Sequence, residues 1–289
     1  MLIKRTGIWA LLVILSLVLV IDRERAMSQE SLPAYLSDRG EGVTTSLFGT
    51  YVKKGDLLIY PFYEYEKKSK DEYHGSEVVR GSTDTKDYLG ESELHEALLF
   101  FAYGVTDDVA VEFESALYET ATLTRAKDDA TSGMPAQIEE SGFSSTQAEV
   151  RWRVQRETET QPEIFTALEI EFPLQKNRML IGAGDWEVVV ALGWVKGLSW
   201  GTLTPRLSVE YDGGDKEVEF GEYALEYLKR LSDQWRVVAT LEGHADEISL
   251  IGELQYFINS GTYLKLNSGF GLTGHTPELA PEVGVMFTF

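Results

Sequence analysis

Glu149, Arg151 and Arg153 recur at every second position, so an extended strand projects all three from one side. The opposite side carries Ala148, Val150, Trp152 and Val154. Guanidinium and carboxylate groups form strong paired hydrogen bonds once water is excluded. The segment before supplies Glu112 and Glu114, and the segment after supplies Glu169 and Glu171, in the same alternation. If consecutive strands pair, both arginines are expected between carboxylates on either side. Arg206 with Glu210, Arg236 with Glu242, and Glu253 extend the series through later segments. Two roles fit such a lining. One is a path that selects solutes by charge and hydrogen bonding. The other is a neutralised filling that stiffens a barrel, because charges withdrawn from water need partners. The filling is the expected role for most of these residues.

Catalysis has little to draw on, and no enzymatic activity is expected. Of the four histidines, His74 and His275 are expected in loops, and His95 and His244 near strand ends. His244-Ala245-Asp246 followed by Ser249 invites comparison with barrel hydrolases, but no nucleophile motif accompanies it. No His/Asp/Glu cluster shows metal spacing along the chain, so no metal is expected. Gly182-Ala183-Gly184-Asp185 lacks the strand–turn–helix context of a phosphate loop, so no nucleotide cofactor is implied.

The elements that must position the charged series are strands with two unlike faces. Alternation at period two runs from Leu57 onward, for example Leu168, Ile170 and Phe172 against Ala167, Glu169 and Glu171. About twelve segments of roughly 9 to 13 residues show it, near the length that crosses a bilayer at a tilt. Long polar stretches, Lys67 to Glu91, Lys127 to Gly142 and Pro173 to Asp185, follow the first, third and fifth segments. Short links such as Thr106-Asp107-Asp108 and Glu157 to Pro162 lie between them. That parity fits long loops outside and tight periplasmic turns. Aromatics such as Tyr60, Phe62, Trp194, Trp200 and Trp235 fall mostly near strand ends, as interfacial girdles require. In the last strand Val283, Val285, Phe287 and Phe289 share one side, suited to closing a barrel against its first strand. The fold expected is therefore all-β: a closed antiparallel transmembrane barrel spanning residues 56–289, apolar outside and polar inside.

The N-terminus reads as an export signal over residues 1–26. Lys4 and Arg5 precede a run from Ile8 to Ile21 that is apolar except for Ser16. Residues 27–55 are irregular, with Pro33, Gly40, Gly42, Gly49 and Gly55, and read as a periplasmic lead, an inward plug or a first strand. The chain has 289 residues and no cysteine, which excludes a disulfide framework and a thiolate metal site. A formal charge of −21 argues against nucleic acid as a partner, since phosphates would be repelled. The partners expected are the bilayer and a small-molecule solute.

Two passages carry a family resemblance. The first is Gly182-Ala183-Gly184-Asp185-Trp186, Gly193-Trp194, Gly201-Thr202-Leu203-Thr204-Pro205 and Val209-Glu210-Tyr211. The second runs from Gly269-Phe270-Gly271-Leu272 through Thr276-Pro277-Glu278 to Gly284-Val285-Met286-Phe287. Between Phe165 and Phe289 this layout resembles the outer-membrane barrels grouped as transporters of the phenol-degradation meta-pathway. The resemblance implies passage of small, often hydrophobic or aromatic molecules across the outer membrane of a Gram-negative-type bacterium. It supplies no catalytic residues and does not account for the first third of the chain. The terminal aromatics Phe287 and Phe289 also resemble the signal read by the barrel-assembly machinery. A non-conducting barrel that scaffolds the envelope or binds a partner is the alternative function.

Overall fold

The computed structural model describes residues 32–289 apart from 80, 215, 246 and 275, and apart from the side chain of Glu77. The signal read at residues 1–26 lies outside the described residues. Two very short strands, β1 (Val43–Thr44) and β2 (Tyr51–Val52), come first and pair with each other. The long strands follow: β3 (Leu57–His74), β4 (Asp87–Gly104) and β5 (Val109–Thr124). Next come β6 (Gln137–Gly142), β7 (Thr146–Gln155), β8 (Glu163–Glu171) and β9 (Glu187–Leu198). The last six are β10 (Gly201–Asp212), β11 (Glu217–Arg230), β12 (Trp235–His244), β13 (Glu247–Asn259), β14 (Thr262–Gly271) and β15 (Ala280–Thr288).

Each long strand pairs antiparallel with its neighbour, and β15 returns to β3 through Val283↔Tyr63 and Phe287↔Ile59. The result is a closed barrel of twelve antiparallel strands. β6 adds no member to the ring. It pairs with β5 along Glu119–Thr124, and β7 pairs with the same edge along Val109–Ser115, so the two act as one strand interrupted at residues 143–145. Closure leaves no unpaired edge in the wall, the condition a bilayer core imposes on strands. The amide of Leu57 donates to Phe289 O at 3.1 Å, and that of Phe289 donates back to Leu57 O at 2.9 Å, so both ends of the barrel share one rim. Opposite this turn rim lie the longest connections, residues 75–86, 125–136 and 172–186, together with the short turns after β10 and β12.

The outward face follows the expected alternation. Val150, Trp152, Val154, Val190, Leu192 and Leu207 are all exposed, as lipid-facing residues are without a bilayer. Trp200 stacks on Tyr227, and Trp235 packs on Tyr256, at the turn rim. Phe172 meets Trp186 edge-on at the opposite rim. Aromatic pairs thus stand at both rims, where girdles were expected. Tyr60 and Phe62 do not belong to them. They point inward and are buried, because β3 presents Leu58, Tyr60 and Phe62 to the interior.

Three further expectations are corrected. β3 and β4 have 18 residues each and β5 has 16, longer than crossing requires. Much of Lys67 to Glu91 is therefore strand, paired from Lys67↔Glu93 to His74↔Asp87. Its polarity marks a hairpin rising beyond the bilayer, with polar residues on its outer side and Tyr73 and Tyr88 buried on its inner side. His74 accordingly sits on a strand, and β4 carries His95 well inside its length. The interior is also not uniformly polar. Leu58, Tyr60, Phe62, Phe100, Ala102, Ala110, Tyr263 and Met286 make an apolar cluster with Val43 and Val52.

That cluster places residues 33–56 inside the barrel near the turn rim. A 3-10 turn at Ala34–Leu36 leads into the β1–β2 hairpin, whose tip is Phe48–Gly49. Gly49 adopts φ +63°, a left-handed conformation that favours glycine.

Candidate functional site

Above the plug the barrel encloses a cavity of about 620 Å³. It extends from Ser46, Leu47 and Phe48 at the plug tip to Lys68, Glu187 and Glu247 near the far rim. Strand alternation positions its lining, since every second residue of a barrel strand faces in. Twelve glutamates line it against four cations, Lys68, Arg151, Arg206 and Lys265. Such an excess of one sign focuses a negative potential in the enclosed space.

The residues singled out from the sequence divide into three groups. Glu114, Glu149, Arg151 and Glu169 line the cavity on one side, and Arg206, Glu210, Glu242 and Glu253 on the other. Glu112, Arg153 and Arg236 face in lower down and hold the plug. Glu112 Oε2 accepts hydrogen bonds from the Ser46 amide at 2.9 Å and the Ser46 hydroxyl at 2.6 Å. Arg153 donates to Gly42 O at 2.6 Å and pairs with Glu163 at 3.3 Å and Asp108 at 3.1 Å. Arg236 donates to Gly49 O at 3.1 Å. Glu171 lies in a row with Gln147 and Glu187. Phe287 is buried, and its ring centroid lies 6.4 Å from that of the half-exposed Phe289.

The expected ladder of alternating signs is corrected by the register. Arg151 stands opposite Ala110 and Ala167, and Arg153 opposite Phe165. The carboxylates oppose one another: Glu112, Glu149 and Glu169 form one cross-strand row. Arg151 reaches diagonally to Glu112 at 3.4 Å and along its own strand to Glu149. A second row, Glu282–Glu64–Glu96–Glu119, crosses four adjacent strands. The charged groups that act most strongly on Glu64 and Glu96 are other glutamates. Like charges directly opposite are destabilising, so the rows are costly to the fold. The neutralised filling expected from the sequence therefore describes the belt around Arg151 and not the cavity as a whole.

Sequence reasoning missed Glu64, Glu66, Glu226, Lys265 and Glu282. The signal was present: Leu58, Tyr60, Phe62, Glu64 and Glu66 share one parity, as do Tyr263, Lys265 and Asn267. Lys265 is buried with its ammonium 3.2 Å from Glu253 and 3.4 Å from Phe48 O.

The plug is tied to the turn rim by charge. Arg39 pairs with Glu163 at 2.9 Å and Glu157 at 3.2 Å, all three side chains essentially fully buried. Asp38 pairs with Lys229 at 3.1 Å and accepts from the Arg230 amide. Glu226 Oε2 accepts from the Gly49 amide at 2.9 Å.

One donor set escapes spacing along the chain because strand pairing assembles it. Glu72, His74 and Asp87 bring ligand atoms within 4.8 Å of one another on the hairpin's outer side, with His74 Nε2 2.7 Å from Asp87 Oδ1. His244 lies 3.9 Å from Glu210 at the far rim. Asp246 and His275 lie outside the described residues. His95 Nδ1 sits 2.6 Å from the Tyr63 hydroxyl on the outer wall.

No family model matches the chain, and no curated protein matches it. Among solved structures the chain is similar to an outer-membrane channel from Pseudomonas putida F1, with TM-score 0.56, 12% identity, and coverage of 82% of this chain and 96% of that one. It also aligns with the translocator domain of the autotransporter NalP from Neisseria meningitidis, at TM-score 0.48 and 12% identity over 82% of this chain and 89% of that one. A KdgM porin in complex with oligogalacturonate aligns at TM-score 0.47 and 9% identity over 80% and 99%. The first likeness establishes the fold: an outer-membrane type of barrel with twelve antiparallel strands.

Proposed function

We propose that the chain is an outer-membrane channel for small solutes and that its vestibule favours solutes carrying positive charge. The observation that carries this reading is the lining of twelve glutamates against four cations around about 620 Å³. A pore lined by carboxylates draws cations and repels anions, more strongly at low salt, when the screening length is long. A hydrophobic or aromatic cargo, implied by the family resemblance, has less support. The inward rings Tyr60, Phe62 and Phe100 cluster with Val43 and Val52, and of the three only Phe62 lines the cavity. The plug tip forms the cavity floor, so passage requires residues 33–56 to yield.

Planar-bilayer recording of the refolded protein tests the reading. The intact chain is expected to conduct weakly and to prefer cations. A chain lacking residues 33–56 is expected to conduct more and keep that preference. Absence of conductance from both, with the barrel folded, would favour the scaffold role instead.

A further inference from the structure

The plug has two unlike sides. Val43 and Val52 pack against the apolar wall of β3, β4, β5, β14 and β15. Toward β10–β12 the contact is polar and incompletely matched. The Tyr51 hydroxyl, Thr202 Oγ1, Thr204 Oγ1 and Thr240 Oγ1 are buried there with no hydrogen-bond partner, as is Arg236 Nε. Native interiors rarely leave buried polar atoms unpaired, and water is the usual partner. Between Thr44, Thr45 and the wall at Thr204, Ala224 and Glu226 lies a crevice of about 20 Å³, room for a water molecule. Its lining shares Ser46, Phe48, Arg151 and Arg206 with the vestibule above. Below it, β10 alternation carries the inward hydroxyls from Thr204 to Thr202 at the turn rim, and Glu226 lies opposite both Thr204 and Thr240.

These two sides respond differently to displacement. Separating the apolar side exposes hydrocarbon to water, a cost that grows with the area exposed. Separating the polar side exchanges protein hydrogen bonds for water hydrogen bonds, a near-balanced trade. It also rehydrates the buried Glu226 carboxylate, which accepts from the Gly49 amide, and burying such a charge is costly.

We propose that the solute route past the plug runs along its β10–β12 side, over Thr204, Thr202 and Thr240, while the plug stays moored on the apolar wall. This inference builds on the channel reading above and assigns the path within it.

The chain has no cysteine, so single cysteines report one position each. Thr202→Cys, Thr204→Cys and Thr240→Cys are compared with Ala102→Cys and Ala110→Cys in the full-length protein. Each is exposed to a small cationic methanethiosulfonate during bilayer recording. The threonine-site variants are expected to react and to lose most of their current. The alanine-site variants are expected to remain unmodified at full current. A second pair lies in the plug itself, where a substitution leaves the barrel wall intact: Tyr51→Cys should react and Val52→Cys should not. Reaction on the apolar side, on both sides, or on neither in a conducting protein overturns the assignment. Absence of current from the unsubstituted chain and from the chain lacking residues 33–56 instead overturns the channel reading.

Discussion

Glu64 and Glu96 stand directly opposite each other on β3 and β4, with Glu282 beyond Glu64 and Glu119 beyond Glu96. Opposed like charges are destabilising relative to neutral neighbours. Glu64→Gln with Glu96→Gln should therefore leave the barrel as stable or more stable in thermal unfolding. If the row serves permeation, the double variant should lose part of its cation preference, read as a smaller reversal potential under a salt gradient. Lower stability with an unchanged reversal potential would assign these residues to the fold alone.

The barrel itself was legible because two-residue alternation survives any detail of pairing. An even number of strands likewise requires both ends of the barrel to share a rim. What alternation does not encode is register. Arg151 was expected between carboxylates, yet Ala110 and Ala167 occupy those places. A shift by two residues preserves every face and changes every partner. The hairpin above the bilayer was read as loop because both of its faces depart from the lipid pattern, although Tyr73 and Tyr88 are buried. The plug stayed undecided because its strands have only two residues each, too short for any period to register.

Arg151 and Arg153 share a strand face but are expected to respond differently. Arg151→Gln leaves Glu112 and Glu149 buried without their cation, and removing one member of a buried pair typically costs about 3–5 kcal/mol. The variant should melt earlier and, while folded, select cations more strongly. Arg153→Gln instead removes the contact to Gly42 O, so it should raise conductance with little change in selectivity. Identical selectivity shifts in both variants would place Arg153 in the path as well.

Asp108 supplies a pH-dependent element at the turn rim. Hydrogen bonds from Arg156 and then Arg153 hold its carboxyl below the usual aspartate range. A depressed carboxylate pKa contributes stability that is present above the unfolded value of about 3.9 and is lost as pH falls through the folded value. Asp108→Asn should thus be less stable than the parent near neutrality. The gap should close in strong acid, where the parent has lost the same interaction. Both Asp108 and Arg156 are partly exposed, so the effect should be small and should shrink with salt. A stability gap that persists unchanged through acid would show that the charge is not its source.

Gly49 gives the most direct access to the cavity floor. Its φ of +63° is left-handed, which costs an L-residue about 1–2 kcal/mol. A Cβ there would lie 2.6 Å from Val238 Cγ2 and 2.9 Å from Gln255 Nε2, closer than packed atoms allow. Gly49→Ala should therefore push the hairpin tip off the β11–β13 wall. That displacement loosens the Gly49 amide from Glu226 and the Gly49 carbonyl from Arg236. No barrel residue changes, so heat-modifiable migration should be retained. Conductance should rise toward that of the chain lacking residues 33–56, while cation preference, set by the untouched vestibule, should stay. Unaltered conductance in a folded Gly49→Ala protein would show that the Phe48–Gly49 tip does not close the floor.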